Sequence, residues 1–457
     1  MLLKMPRVLM TLSVVTTALL TSCGGSSGDP ESAPNDPPLE PDQQVQYVTP
    51  ADITTCSVDD IKGRVGFDML DYYIYYDQVP PLNPVGFETP EELIRALRVN
   101  PDIYSNVQDE QEQGALFEDG VTSGYGFRFS PASDGVVRFR EILLGSPADD
   151  AGLLRGDELI RLNGRLISDY TNDEIRTVLS EGQPPITMQV RTTDSATRDV
   201  ALEQGTYRWR TARSFVFRSE GQPTVGLIEV RTFLETTSSE IDAGIEFLLE
   251  SDIDELIVDL RYNPGGRTRV AERLAAQIAG PSVDGLPFLT RTWNDKYSEN
   301  NSTSTLEAAE PTLTLPRVFV LLTDRSASAS EAMVNGLEPY MNVIVIGGAT
   351  EGKIFTSNAR NYCGKSINAM RSERTNSVGV SVLGGIQPDC TVADDWTMQA
   401  WSPSDPMILA ARDYMRTGAC TTPMLAAKDL SPRRRSSDDP VFNGMSDLTD
   451  TPLDLVD

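Results

Sequence analysis

Between residues 206 and 420 the apolar positions keep changing period. Unbroken apolar runs in GLIEVRTF, ELIVDLRYNPGG, RVFVLLTD and NVIVIGG are separated by stretches at 238–249, 269–278 and 328–340 whose apolar residues return every three to four positions. An unbroken apolar strand has no wet face, and each intervening stretch carries a single apolar stripe. The pattern therefore predicts a mostly parallel sheet covered by amphipathic helices, over a domain at 205–422. Residues 119–204 read instead as short strands, in GYGFRF, VVRFREILL, ITMQVRT and DVALEQG, with a helix in NDEIRTVLSE. Residues 51–118 carry helix signals: in TPEELIRALR, Pro90 follows Thr89, and Glu91 and Glu92 fill the first turn. We expect a small helical domain there, with Tyr72, Tyr73, Tyr75 and Tyr76 packed into its core. The stretch 23–50 is rich in Pro, Gly, Ser and acids and reads as a tether, and 423–457 reads as a loose polar tail. The expected architecture is multidomain α/β.

At the start of the chain, Lys4 and Arg7 precede an apolar run at 8–20. That is the layout of an export signal and too short to span a bilayer as a mature helix. The run ends in Leu20-Thr21-Ser22-Cys23, which resembles the bacterial lipobox. The resemblance implies removal of residues 1–22, lipid on Cys23 that attaches the chain to a membrane and, with Gly24 next, residence on the periplasmic face of the outer membrane. Asp and Glu number 67 against 39 Lys and Arg, and the net charge of -28 argues against a nucleic-acid partner. If Cys23 carries lipid, Cys56, Cys363, Cys390 and Cys420 form an even set in an oxidising compartment. Three pairings are open, and Cys363 with Cys390 is the expected one. No Cys/His cluster with metal-ligand spacing exists, so neither a metal nor another cofactor is expected.

The candidate chemistry lies in LTDRSASASEAMVNGLEPYMNVIVIGGATEGK, at 322–353. Ser326, Ser328 and Ser330 fall where an apolar strand gives way to a helix with Ala332, Met333, Gly336 and Leu337 on one side. The first amides of a helix lack intrahelical partners and the dipole there is positive, so an oxygen gaining negative charge is stabilised. Serine is also a common helix N-cap, which any of the three satisfies. The chain has no histidine, which excludes both Ser-His-Asp and Cys-His catalysis. A serine nucleophile would need Lys, Tyr, Asp or Glu as its base.

Three pieces in order, VDLRYNPGG at 258–266, SASASE at 326–331 and Gly352-Lys353, resemble the carboxy-terminal processing, or tail-specific, proteases. These are Ser/Lys peptidases with a crotonase-like βα domain and a PDZ module ahead of it. SPADDAGLLRGDELIRLNG, at 146–164, resembles that PDZ module, and Gly124, Tyr125, Gly126 and Phe127 stand at its carboxylate-binding loop. The resemblance implies Ser328 as nucleophile, Lys353 as base, and protein or peptide substrates with exposed C-termini. We assign the oxyanion donors to the amides of Ala329, Gly265 and Gly266. A lysine base must be neutral when it acts, which demands an apolar pocket, and Ile354 and Phe355 supply apolar neighbours. Glu331 reads as a packing or capping carboxylate at the helix start. One departure stands out: many family members have Gln four residues after the lysine, and here Ser357 takes that place. The alternative is a catalytically weak or inactive PDZ scaffold that binds protein C-termini.

Overall fold

The computed structural model describes residues 55–131, 134–180 and 184–420, together with the backbone of a strand at Phe442–Met445. The larger sheet of the second half has the strand order Cys390–Thr391, Asn342–Gly347, Arg317–Leu322, Glu255–Asp259, Val225–Val230, Ala212–Phe217. All neighbours are parallel except the last pair. Alternate residues of the apolar runs face opposite layers. Ile228, Val258 and Val320 pack with Leu274 and Leu337 from helices Thr268–Ala279 and Ala329–Leu337. Leu227, Ile257 and Phe319 pack with Met407 and Ile408 from helix Pro406–Thr417. Burial on both faces is what the unbroken apolar runs required.

Residues 121–202 form an antiparallel unit of strands Val121–Pro131, Val137–Ile142, Glu158–Leu162, Ile186–Arg191 and Thr197–Leu202. Helix Asn172–Leu179 closes it, held at its start by a reciprocal Thr171/Glu174 capping box. Tyr125, Phe127, Phe129 and Phe139 fill the core with Leu159, Ile175 and Leu179.

The N-terminal helices are Val58–Asp71 and Pro90–Leu97, the second starting where Thr89 Oγ1 accepts the Glu92 amide at 3.1 Å. They do not make the self-contained domain expected from the sequence. Their apolar faces, with Val65, Met69, Tyr73 and Leu93, share one core with Ile354, Phe355, Ile367 and Met370. Strand Asn106–Asp109 pairs with Lys365–Asn368 from the far end of the chain. Two short helices expose too much apolar surface to stand alone, and the later strands complete their core. Of the tyrosines, Tyr73 is fully buried, whereas Tyr72, Tyr75 and Tyr76 are half-buried.

The same closure decides the disulfides. They are Cys56–Cys363 and Cys390–Cys420, each with Cα atoms 5.5 Å apart, and not the expected Cys363–Cys390 pair. Cys363 sits in the turn between Arg360–Tyr362 and Lys365–Asn368, beside the N-terminal helices, while Cys390 lies on the edge of the main sheet. Cys23 lies outside the described residues, as does the tether at 23–50. The tail expected at 423–457 is described only at Phe442–Met445, which is a strand.

Candidate active site

The three serines separate by what their hydroxyls do. Ser326 Oγ donates to Leu260 O at 2.7 Å and accepts the Thr323 amide at 3.0 Å, tying the ends of two adjacent strands together. Ser330 Oγ donates to Asn263 O at 3.0 Å. Ser328, the N-cap of helix Ala329–Leu337, has φ 56° and ψ −114°, a conformation that costs a non-glycine residue about 1–3 kcal/mol and is held only where its surroundings over-determine it. Asn263 provides much of that determination. Its carbonyl also accepts the Ala327 amide at 3.1 Å, its Nδ2 donates to Val230 O at 3.1 Å, and its Oδ1 accepts the Gly265 amide at 2.9 Å.

Glu331 fixes the other side. The fully buried carboxylate accepts the Ser328 amide at 2.8 Å and the Lys353 amide at 2.9 Å on one oxygen, Oε2. Its Oε1 accepts the Gly352 amide at 2.7 Å and the Thr350 hydroxyl. The backbones of Ser328 and Lys353 are thus pinned to a single atom, although 24 residues separate them in the chain. Burial pushes the Glu331 carboxyl up from 4.5 to about 7, and the four donors keep the rise from being larger.

Lys353 is fully buried, with Nζ 5.0 Å from the centroid of the Tyr104 ring. Ile354 and Phe355, next to it, belong to the core shared with the N-terminal helices, so those helices help to keep the amine dry. Ser357 is buried in the strand Phe355–Ser357. Arg374, on the neighbouring strand Met370–Asn376, donates from Nη2 to Ser328 Oγ at 3.2 Å and to Phe355 O at 3.4 Å, and from Nη1 to Thr268 Oγ1 at 3.2 Å.

Gly265 lies directly against the nucleophile candidate: a Cβ on it would meet Ser328 Cβ at 2.7 Å and Ala329 N at 3.1 Å. Its amide is already spent on Asn263 Oδ1, so Gly265 supplies space and not the oxyanion donor assigned to it above. Gly266, at φ 127°, presses on the Phe233 carbonyl, which a Cβ would meet at 2.3 Å.

In the antiparallel unit, Gly124 and Gly126 have φ of 123° and 82°. A Cβ on Gly126 would fall 2.0 Å from Ser146 Cβ, so only glycine fits. Tyr125 and Phe127 turn their rings into the core. This unit touches the loop leading to Gly265. Arg155 pairs with Asp394 at 2.6 Å, and Asp394 also binds Arg261 Nη1 at 3.0 Å and the Tyr262 hydroxyl. Burial alone would raise the Asp394 carboxyl, but Arg155 and Arg261 outweigh it and hold it down to about 2.

Sequence reading missed Arg374 and Tyr104. Neither stands in a recognisable motif, and both reach the site from strands or turns far away in the chain. Asn263 lay inside a quoted motif without a role, and its place before Pro-Gly-Gly was the available signal.

Comparison with known proteins agrees with this architecture. Residues 224–392 match Peptidase family S41 and residues 115–191 match the PDZ domain. The carboxy-terminal processing protease CtpA of Bacillus subtilis (strain 168) is 27% identical over 267 residues, covering 57% of this chain and 54% of that protein. A CtpA-like serine protease of Staphylococcus aureus (strain COL) is 25% identical over 288 residues, covering 62% and 55%. The match therefore spans about half the length of these relatives. A crystal structure assigned to the S41 proteases, from Bacteroides fragilis, superposes with a TM-score of 0.63 at 21% identity over 77% of this chain and 97% of that one. A region that matches the PDZ domain thus stands ahead of one that matches Peptidase family S41, with a helical N-terminal segment completing the core, and in that order of parts the chain is similar to the carboxy-terminal processing proteases.

Proposed function

We propose that the protein is a serine endopeptidase that cleaves the C-terminal tails of proteins through a Ser328/Lys353 dyad, the PDZ groove holding the tail. The observation that carries this reading is the shared Glu331 oxygen, which ties a strained, helix-capping serine to a fully buried lysine. In the proposed reaction the Lys353 amine takes the Ser328 proton as Oγ attacks the scissile carbonyl. The tetrahedral oxyanion is received by the amides of Ala329 and Gly266. Collapse expels the amine, which regains a proton from Lys353, and water then hydrolyses the acyl-enzyme by the same path. Arg374 holds a fixed positive charge at Ser328 Oγ, which favours the developing alkoxide, and an arginine side chain cannot itself be the base.

The protein acts in the periplasm, lipid-anchored through Cys23 to the outer membrane; palmitate labelling that survives Cys23→Ala would refute the anchor. For the chemistry, a chain starting at residue 24 should cleave an unfolded tail peptide and react with a fluorophosphonate at Ser328. Lys353→Ala should suppress that reaction, and undiminished cleavage by Ser328→Ala would overturn the assignment. An unreactive Ser328 with tail binding retained would leave the scaffold reading.

A further inference from the structure

The peptide groove of the PDZ domain is bounded by the open edge of strand Val121–Pro131 and by helix Asn172–Leu179. In this structure that edge is taken. Strand Phe442–Met445 pairs with it antiparallel, with Gly124 opposite Met445, Arg128 opposite Asn443 and Phe129 opposite Phe442. The added strand also contacts helix Asn172–Leu179. The strand's other partners lie along its opposite side: Gly205–Arg208 runs beside residues 121–124 and Val137–Ile142 beside residues 127–131. Among the described residues, Phe442–Met445 is the one strand of this sheet that comes from beyond the region matching the peptidase family.

Its direction is informative. The chain runs from Phe442, opposite Phe129, toward Met445, opposite Gly124, so its C-terminal end points at the glycine loop. A bound tail with its carboxylate in that loop would run the same way.

We propose that residues 442–445 are a built-in competitor for this groove, which an external tail must displace before it is held. The proposal rests on the reading of the groove as the tail site. Residues 421–441 link the segment to Cys420, which the Cys390–Cys420 disulfide fastens to the main sheet. Random-coil statistics for any tether of 21 residues give a span of roughly 25 Å and an effective concentration on the order of 1 mM. Against an intrinsic Kd of about 100 µM, a tethered competitor of equal strength weakens the apparent affinity of an external peptide by about tenfold.

The test compares the full chain from residue 24, the same chain ending at Cys420, and full-length Asn443→Pro, which removes one amide from the added strand. Binding of an unrelated fluorescent tail peptide is read by anisotropy, and protection of the amides at 124–129 by hydrogen exchange. The expected result is about tenfold tighter binding by both the shortened chain and Asn443→Pro. Added peptide spanning residues 438–449 should reverse the gain in the shortened chain. Equal binding by all three chains overturns the proposal and leaves the groove reading intact. If no chain binds peptide and amides 124–129 lose protection on shortening, the segment is a structural strand, and both the proposal and the groove reading fail. Absence of both binding and any change in protection overturns both as well.

Discussion

Replacing Glu331 by glutamine tests the join between the two halves of the site. The wild-type carboxylate accepts four hydrogen bonds, two on each oxygen. Glutamine fits best with its carbonyl toward the Ser328 and Lys353 amides and its NH2 toward Thr350 Oγ1, which can accept. The Gly352 amide then faces a donor and loses its partner, a loss of about 1–3 kcal/mol for one buried N–H. The variant should therefore fold. A second consequence concerns pH. The folded-state value of about 7 lies above the ordinary 4.5, so the unfolded chain releases this proton first as pH rises. The stability tied to the protonated group is complete below pH 4.5 and lost as pH rises through 7, a change of about 3 kcal/mol. Glutamine does not titrate. Urea unfolding of both proteins at pH 4.5 and pH 8, followed by tryptophan fluorescence, should show the wild type losing about 3 kcal/mol relative to Glu331→Gln on going to the higher pH. A difference between the two proteins that does not move with pH would refute the buried, proton-holding carboxyl described here.

Arg374→Ala removes a charged donor from Ser328 Oγ and should lower kcat on a tail peptide by about ten- to a hundredfold, the equivalent of one charge-assisted hydrogen bond, with KM nearly unchanged. Arg374→Lys should not restore it, because one ammonium cannot reach Ser328, Thr268 and Phe355 together. Gly265→Ala puts a methyl group against Ser328 and the Ala329 amide, and should leave a folded chain with no measurable cleavage and little fluorophosphonate labelling. Non-reducing peptide mapping should recover Cys56 linked to Cys363 and Cys390 linked to Cys420. Replacing Cys390 and Cys420 together by serine should cost about 3 kcal/mol in urea unfolding.

What the sequence settled about this protein was local or periodic. Unbroken apolar runs spaced by amphipathic helices specified a covered, mostly parallel sheet, because a strand wet on one face cannot be apolar throughout. Thr89-Pro90 and Thr171 with Glu174 marked helix starts through caps formed within three residues. The lack of histidine excluded the commoner serine chemistry, and the motifs around Ser328 and Lys353 marked where to look. Contacts between residues distant in the chain were decided only by tertiary structure. The alternation Ser326, Ser328, Ser330 does not reveal which hydroxyl is committed to a neighbouring strand end, since Leu260 O and Asn263 O arrive from the adjacent loop. Arg374, Tyr104, the cysteine pairing and the added strand at Phe442–Met445 likewise depend on which segments folding brings together. Side-chain periodicity records which face of an element is apolar and carries no record of which distant element covers it, so the framework could be read from the chain, while the groups surrounding the two marked residues required the fold.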